Sequence, residues 1–210
     1  MSRTRRRPKA PFRELSDAER ARRLEAVLAE RDPAAPLWVF GYGSLIWKPD
    51  FAYDRRALAR LPGYRRRFHI WTAVARGTPE KPGLGLCLEA GAGDCTGVVF
   101  RLDPACREES LKSIWAREMV TGIYRAAWLE VTSEAGPLEA LTFVVDRDHP
   151  QYAGPLPPEE AAAIVAEAHG KFGSCHDYLA NTVDWLKRND CAEPELEGLL
   201  ERVRRILGAP

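Results

Sequence analysis

Leu37-Trp38-Val39-Phe40-Gly41-Tyr42-Gly43-Ser44-Leu45-Ile46-Trp47 sets the reading of this chain. Its first four residues form a short apolar run of the kind that becomes a buried strand, and two glycines around a tyrosine follow directly. Glycine reaches backbone conformations closed to most residues. A strand ending this way can therefore turn several N–H groups into a pocket, where they hold a carboxylate or a developing oxyanion. The same residues also describe a plain turn between two hydrophobic runs, with Leu45-Ile46-Trp47 as core. On this segment alone both readings stay open.

Outward from it, residues 14–31 carry a partial apolar stripe (Leu15, Ala18, Leu24, Val27, Leu28) behind Ser16 and Asp17 as capping candidates, so a helix is expected. Pro33 and Pro36 end it. After the glycine segment come Pro49-Asp50 and a short helical patch over residues 54–60. Strands are expected at Tyr64–Thr72, Leu84–Glu89, Cys95–Leu102, Ile123–Val131 and Leu138–Val145, each rich in branched or aromatic residues and bounded by Gly or Pro. Arg76-Gly77-Thr78-Pro79 and Gly91-Ala92-Gly93-Asp94 read as turns. His149–Pro155 reads as a loop, and helices follow at 158–170, 175–188 and 194–207. The last carries Leu196, Leu199, Leu200, Val203, Ile206 and Leu207 on one face. Strands grouped before the final helices indicate an α+β domain rather than regular βαβ alternation.

The 210 residues suit one well-cored domain, here taken as 14–210 behind a basic tail at 1–13. With net charge +1 and 45% apolar residues, the composition is that of an ordinary soluble protein. No run approaches the ~18 apolar residues of a membrane span, and no apolar signal region follows Met1. Five widely spaced cysteines without a Cys-x-x-Cys indicate reduced thiols and a cytoplasmic location. No metal or other cofactor is expected, since the histidines are scattered and no carboxylate-rich loop occurs. Arg3, Arg5, Arg6, Arg7 and Lys9 make either a nucleic-acid arm or a solvated tail. No nucleic-acid motif follows, so no nucleic-acid or membrane partner is expected. Oligomeric state is not legible.

Asp103-Pro104 reads as a helix start, with aspartate as cap and proline at the first position. The helix continues to Glu118, with Leu111, Ile114 and Trp115 as its apolar stripe. Glu118, seven residues after Leu111, falls roughly 20° from that stripe, while Glu109 and Arg117 fall on the other side. A carboxylate on an apolar face is costly unless paired, and burial raises its pKa toward that of a general base. The other reading has the helix fray after Trp115, leaving Glu118 in solvent or paired with an arginine. No nucleophile elbow or phosphate loop competes, because Gly41-Tyr42-Gly43-Ser44 fits neither pattern.

Several segments together resemble the ChaC family of γ-glutamylcyclotransferases. They are Tyr42–Trp47, Arg76–Gly83, Thr96–Leu102, Arg117-Glu118-Met119-Val120-Thr121-Gly122-Ile123-Tyr124, His149–Gly154 and Gly173–Val183, in order across residues 37–188. The resemblance implies a small, mixed but mostly antiparallel β-barrel with flanking helices. It implies cleavage of a γ-glutamyl amide, most characteristically glutathione, to 5-oxoproline and Cys-Gly without water. By the same resemblance Glu118 is the catalytic acid/base, and Tyr42, Gly43, Ser44 and Leu45 form the substrate loop. Tyr178 lines the glutamyl pocket, and Arg76 sits in a further shared block as a substrate-binding candidate. Two rivals stay open: the same chemistry on another γ-glutamyl amine, and a non-catalytic regulatory protein that keeps the pocket.

Overall fold

The computed structural model describes Pro8 and residues 12–208. Arg3, Arg5, Arg6, Arg7 and Lys9 of the expected tail lie outside them. The described chain groups into two compact units: residues 13–66 with 88–146, and residues 67–87 with 147–208 and Phe12.

The first unit is built on a closed barrel of five strands. These are β1 (Trp38–Gly41), β2 (Tyr53–Thr72), β3 (Gly83–Leu102), β4 (Tyr124–Ser133) and β5 (Gly136–Val145), ordered β1-β3-β2-β4-β5. β1 runs antiparallel to β3, and β4 to β5, while parallel pairs at Val39–Leu141 and Leu88–Val144 complete the barrel. β1 is apolar throughout because both its faces are buried. Phe40 joins a core of Ala59, Leu61, Leu88, Val99, Val131 and Ala140. Val39 joins a separate core with Leu111, Ile114, Trp115, Met119 and Phe143. The second core holds helix α2 (Arg107–Glu118). Helix α1 (Asp17–Leu28) covers it in turn, with Trp115 Nε1 donating to Arg20 O at 2.9 Å and Trp128 Nε1 to Val27 O at 2.8 Å. Ser16 caps α1 as expected: its hydroxyl accepts from Glu19 N, and the Glu19 carboxylate accepts from Ser16 N at 2.8 Å.

Three expectations are corrected here. Residues 54–60 are strand, not helix: Ala57, Ala59 and Leu61 alternate inward, with Leu61 buried and Leu58 exposed, so the period is two. The interruption at Pro62-Gly63, where Gly63 has φ +76°, lies inside one continuous β2. Gly91–Asp94 is likewise no turn but an exposed stretch of β3, which carries Gly93 at φ +116° beside the Arg65 side chain. α2 starts at Arg107, because Asp103 spends its carboxylate and carbonyl on a turn, accepting from Ala105 N at 2.9 Å and from Cys106 N at 3.0 Å.

In the second unit, α3 (Pro158–Glu167), α4 (Cys175–Arg188) and α5 (Pro194–Leu207) pack around Trp71, Leu84, Leu86, Val165, Leu179 and Leu186. The expected helix 158–170 stops at Glu167, and a two-residue hairpin follows, β6 (His169–Gly170) with β7 (Gly173–Ser174). Ser174 then caps α4, accepting from Asp177 N at 2.9 Å. On α5 the buried stripe is Leu196, Leu200 and Val203; Ile206 and Leu207 are exposed, so the packing face is shorter than the apolar pattern. All five cysteines are free, and no described helix is long and apolar enough to cross a membrane.

Candidate active site

After β1 the chain makes a single turn of 3-10 helix over Ser44–Ile46. Neither glycine of the opening segment works through left-handed backbone: Gly43 has φ −113°, and Gly41 is not among the positive-φ residues. Gly41 is needed for space instead, since a Cβ there would stand 2.9 Å from that of Leu45. The tight turn lets Ile46 N bond Gly43 O at 3.0 Å and Lys48 N bond Ser44 O at 2.8 Å. The N–H groups of Gly43, Ser44 and Leu45, at the start of the turn, have no hydrogen-bond partner among the described residues. Gly43 and Ser44 are half-buried. Three consecutive free donors make a cradle for an anionic oxygen.

The side chains around these donors hold the turn in place. Tyr42 is buried, and its hydroxyl donates to Phe143 O at 2.7 Å. Leu45 is core, packed with Leu111, Ile114 and Trp115 of α2. The fully buried Arg66 donates Nε to Tyr42 O at 2.5 Å and Nη2 to Thr96 O at 2.6 Å. Arg117 donates Nη2 to Ser44 Oγ at 2.9 Å and Nη1 to Lys48 O at 3.1 Å. Sequence reasoning missed Arg66 and Arg117. The first sat in a run of exposed-looking arginines; the second was placed on the helix face away from the apolar stripe, and no spacing rule relates it to a serine 73 residues earlier.

Glu118 ends α2, which does not fray after Trp115: its last hydrogen bond runs from Met119 N to Trp115 O at 2.9 Å. Glu118 keeps part of its surface accessible, yet protein surrounds it closely enough that desolvation dominates its titration. Among the described residues no hydrogen bond or ion pair reaches the carboxylate. Burial pushes its pKa up to about 7, against a smaller opposing pull from the Arg117 charge. Arg117 makes no bond to Glu118, because adjacent helix residues point about 100° apart.

Arg76 and Tyr178 come together in the second unit. The Arg76 guanidinium lies over the Tyr178 ring at 5.0 Å and donates to Phe172 O. Tyr178 also meets Phe68, with ring centroids 5.8 Å apart. Desolvation lowers the Arg76 pKa against weaker pulls from Tyr178, Cys175 and Asp177. The described residues contain no group of three or more His, Cys, Asp or Glu side chains arranged to hold a metal ion.

The family model described as ChaC-like protein matches residues 37–206. The glutathione-specific gamma-glutamylcyclotransferase of Escherichia coli (strain K12) is 34% identical over 193 residues, 91% of this chain and 83% of its own. Glutathione-specific gamma-glutamylcyclotransferase 1 of Danio rerio is 36% identical over 181 residues, 81% of this chain and 92% of its own. Among solved structures, a yeast gamma-glutamylcyclotransferase specific to glutathione superposes with a TM-score of 0.74 at 25% identity, over 81% of this chain and 96% of that one. A match across most of the chain, at this level of identity, shows that the chain belongs to the ChaC-like family.

Proposed function

We propose that this protein is a γ-glutamylcyclotransferase acting on glutathione, with Glu118 as the proton carrier and the Gly43–Leu45 N–H groups as the anion cradle. The observation that carries the reading is a carboxylate with no partner, held near pH 7 by burial, on the helix whose core residues pack against the loop bearing the free donors. The relatives named for glutathione supply the substrate.

In this reaction the substrate carries its own nucleophile. The α-nitrogen attacks the γ-carbonyl carbon, so ring closure needs a folded pose more than an enzyme nucleophile. That nitrogen is an ammonium near neutral pH and has no lone pair to offer. Glu118, as carboxylate, takes one of its protons. The new C–N bond forms, the carbonyl oxygen gains negative charge, and the loop N–H groups stabilise it. Glu118 returns the proton to the departing nitrogen, and the C–N bond to cysteine breaks. The carboxylate then takes the second proton from the ring nitrogen and passes it to the freed amine, giving 5-oxoproline and Cys-Gly as its ammonium. Atoms balance without water. Ser44 is no nucleophile in this scheme; its hydroxyl oxygen is engaged by Arg117.

The test is 5-oxoproline release by the purified protein from glutathione and, separately, from γ-Glu-Ala. Product from glutathione alone supports the full assignment. Comparable product from both would make it a cyclotransferase of broader γ-glutamyl specificity, and product from neither would overturn the enzymatic reading.

A further inference from the structure

Resting on the reading of Glu118 as proton carrier, we propose that Arg117 is a positioning residue for the reaction, tying the substrate loop to the end of α2 and so fixing the free loop N–H groups relative to the Glu118 carboxylate. Its two hydrogen bonds bracket the 3-10 turn, one on its first residue, Ser44 Oγ, at 2.9 Å and one two residues past its end, on Lys48 O, at 3.1 Å. Asp50 Oδ2 lies 3.5 Å from the same guanidinium. A planar fork with fixed donor directions spans a turn in this way, whereas a lysine ammonium reaches one acceptor as a point charge. Other directional bonds from α2 toward this loop reach only the segment after the turn, with Ser113 Oγ donating to Asp50 O at 3.3 Å and Ser110 Oγ bonded to Ala52 at 3.1 Å. The turn itself meets α2 through apolar contacts of Leu45. Arg117 therefore sets the register between the two halves of the site.

The same residue has a second, separable effect. Its charge is the one that acts on Glu118, opposing burial. Asp50 pairs with Arg117 itself. Removing the charge leaves desolvation unopposed, while exchanging arginine for lysine keeps the charge and loses the fork.

The experiment compares R117Q, R117K, S44A and E118Q by KM, kcat and the pH dependence of 5-oxoproline release from glutathione. R117Q is expected to lower kcat about tenfold with KM little changed, since the misplaced N–H groups act on the oxyanion of the transition state, and to move the acid limb upward. R117K should lower kcat similarly and leave the limb in place. S44A, which removes one acceptor at a half-exposed site, should lower kcat several-fold, again without moving the limb. An unchanged kcat in S44A and R117K overturns the clamp even if R117Q folds poorly, and an R117K limb displaced as far as that of R117Q overturns the electrostatic part. E118Q isolates the underlying reading: full turnover there defeats Glu118 as base, whereas an inactive E118Q beside an unaffected R117Q defeats only the role given to Arg117.

Discussion

Two sites, one in each unit, treat their charged groups in opposite ways. The contrast is between the sites and not the whole units, since Trp71 Nε1 and His176 Nε2 of the helical unit are also buried without a hydrogen-bond partner. In the barrel unit, Glu118 has no bonding partner and three consecutive loop N–H groups are unpaired among the described residues. In the helical unit, the Arg76 cation is absorbed by the Tyr178 ring and the carbonyl of Phe172. A folded chain leaves partly buried polar groups unpaired at a cost, so such groups mark a place where something else completes them. Satisfied groups mark a place that holds itself together. The barrel unit is expected to trade stability for chemistry, and the Arg76 cluster to do the reverse.

The contrast breaks first at Glu118. E118Q should lower turnover by roughly 10²–10⁴-fold, the range of a general acid/base, as read from 5-oxoproline release. It should also stabilise the protein, with a definite pH signature. Because burial holds the carboxyl at about 7, above its ordinary 4.5, the native state binds more protons than the unfolded state between those values. Stability is therefore lost as pH rises through that window. Thermal unfolding above pH ~7 should show E118Q melting higher, by roughly 2–4 °C for each kcal/mol gained; below pH ~4.5 the two proteins should coincide. A uniform loss of stability in E118Q would mean the carboxylate is a structural group after all.

R76A should do the opposite. Losing the ring contact and the charged hydrogen bonds should destabilise the protein by about 2–4 kcal/mol, seen in chemical denaturation. An R76A protein as stable as the original, with a raised KM, would instead move Arg76 to the substrate. In the unsubstituted enzyme, kcat/KM should rise with pH through about 7, as Glu118 loses its proton; a flat profile across neutrality would speak against the base. Y178F keeps the ring that Arg76 stacks on, and a KM raised several-fold in a Y178F protein that unfolds at the original denaturant concentration would assign the hydroxyl to the substrate. The smallest effect concerns thiols. Burial pushes the Cys175 pKa up to about 12 while its Sγ bonds Leu84 O at 3.0 Å. A thiol reagent should label the half-buried Cys106 and Cys191 well before it labels Cys87, Cys95 or Cys175.

Legibility from sequence followed the range of the interactions involved. α1, α4 and α5 came close to the expected positions because their caps and apolar periods are local, as with Ser16, Ser174 and the Leu196–Val203 stripe. β2 and β3 were less legible: residues 54–60 read as a helical patch and Gly91–Asp94 as a turn, whereas each strand runs on past a glycine at positive φ, Gly63 and Gly93. The stop of α5 packing at Val203 rather than Leu207 has the same origin, since periodicity gives a face but not the extent of its partner.

The amino-acid sequence by itself determined a strand buried on both faces, a tight glycine turn after it, and a glutamate about 20° off the apolar stripe of a helix, because strand and helix periods are properties of neighbouring residues. Tertiary structure alone decided that the turn's first N–H groups are left unpaired, that Arg117 crosses to Ser44, and that Glu118 is surrounded without being bonded. Desolvation and hydrogen-bond satisfaction are sums over every neighbour in space, and at this site those neighbours come from segments about seventy residues apart.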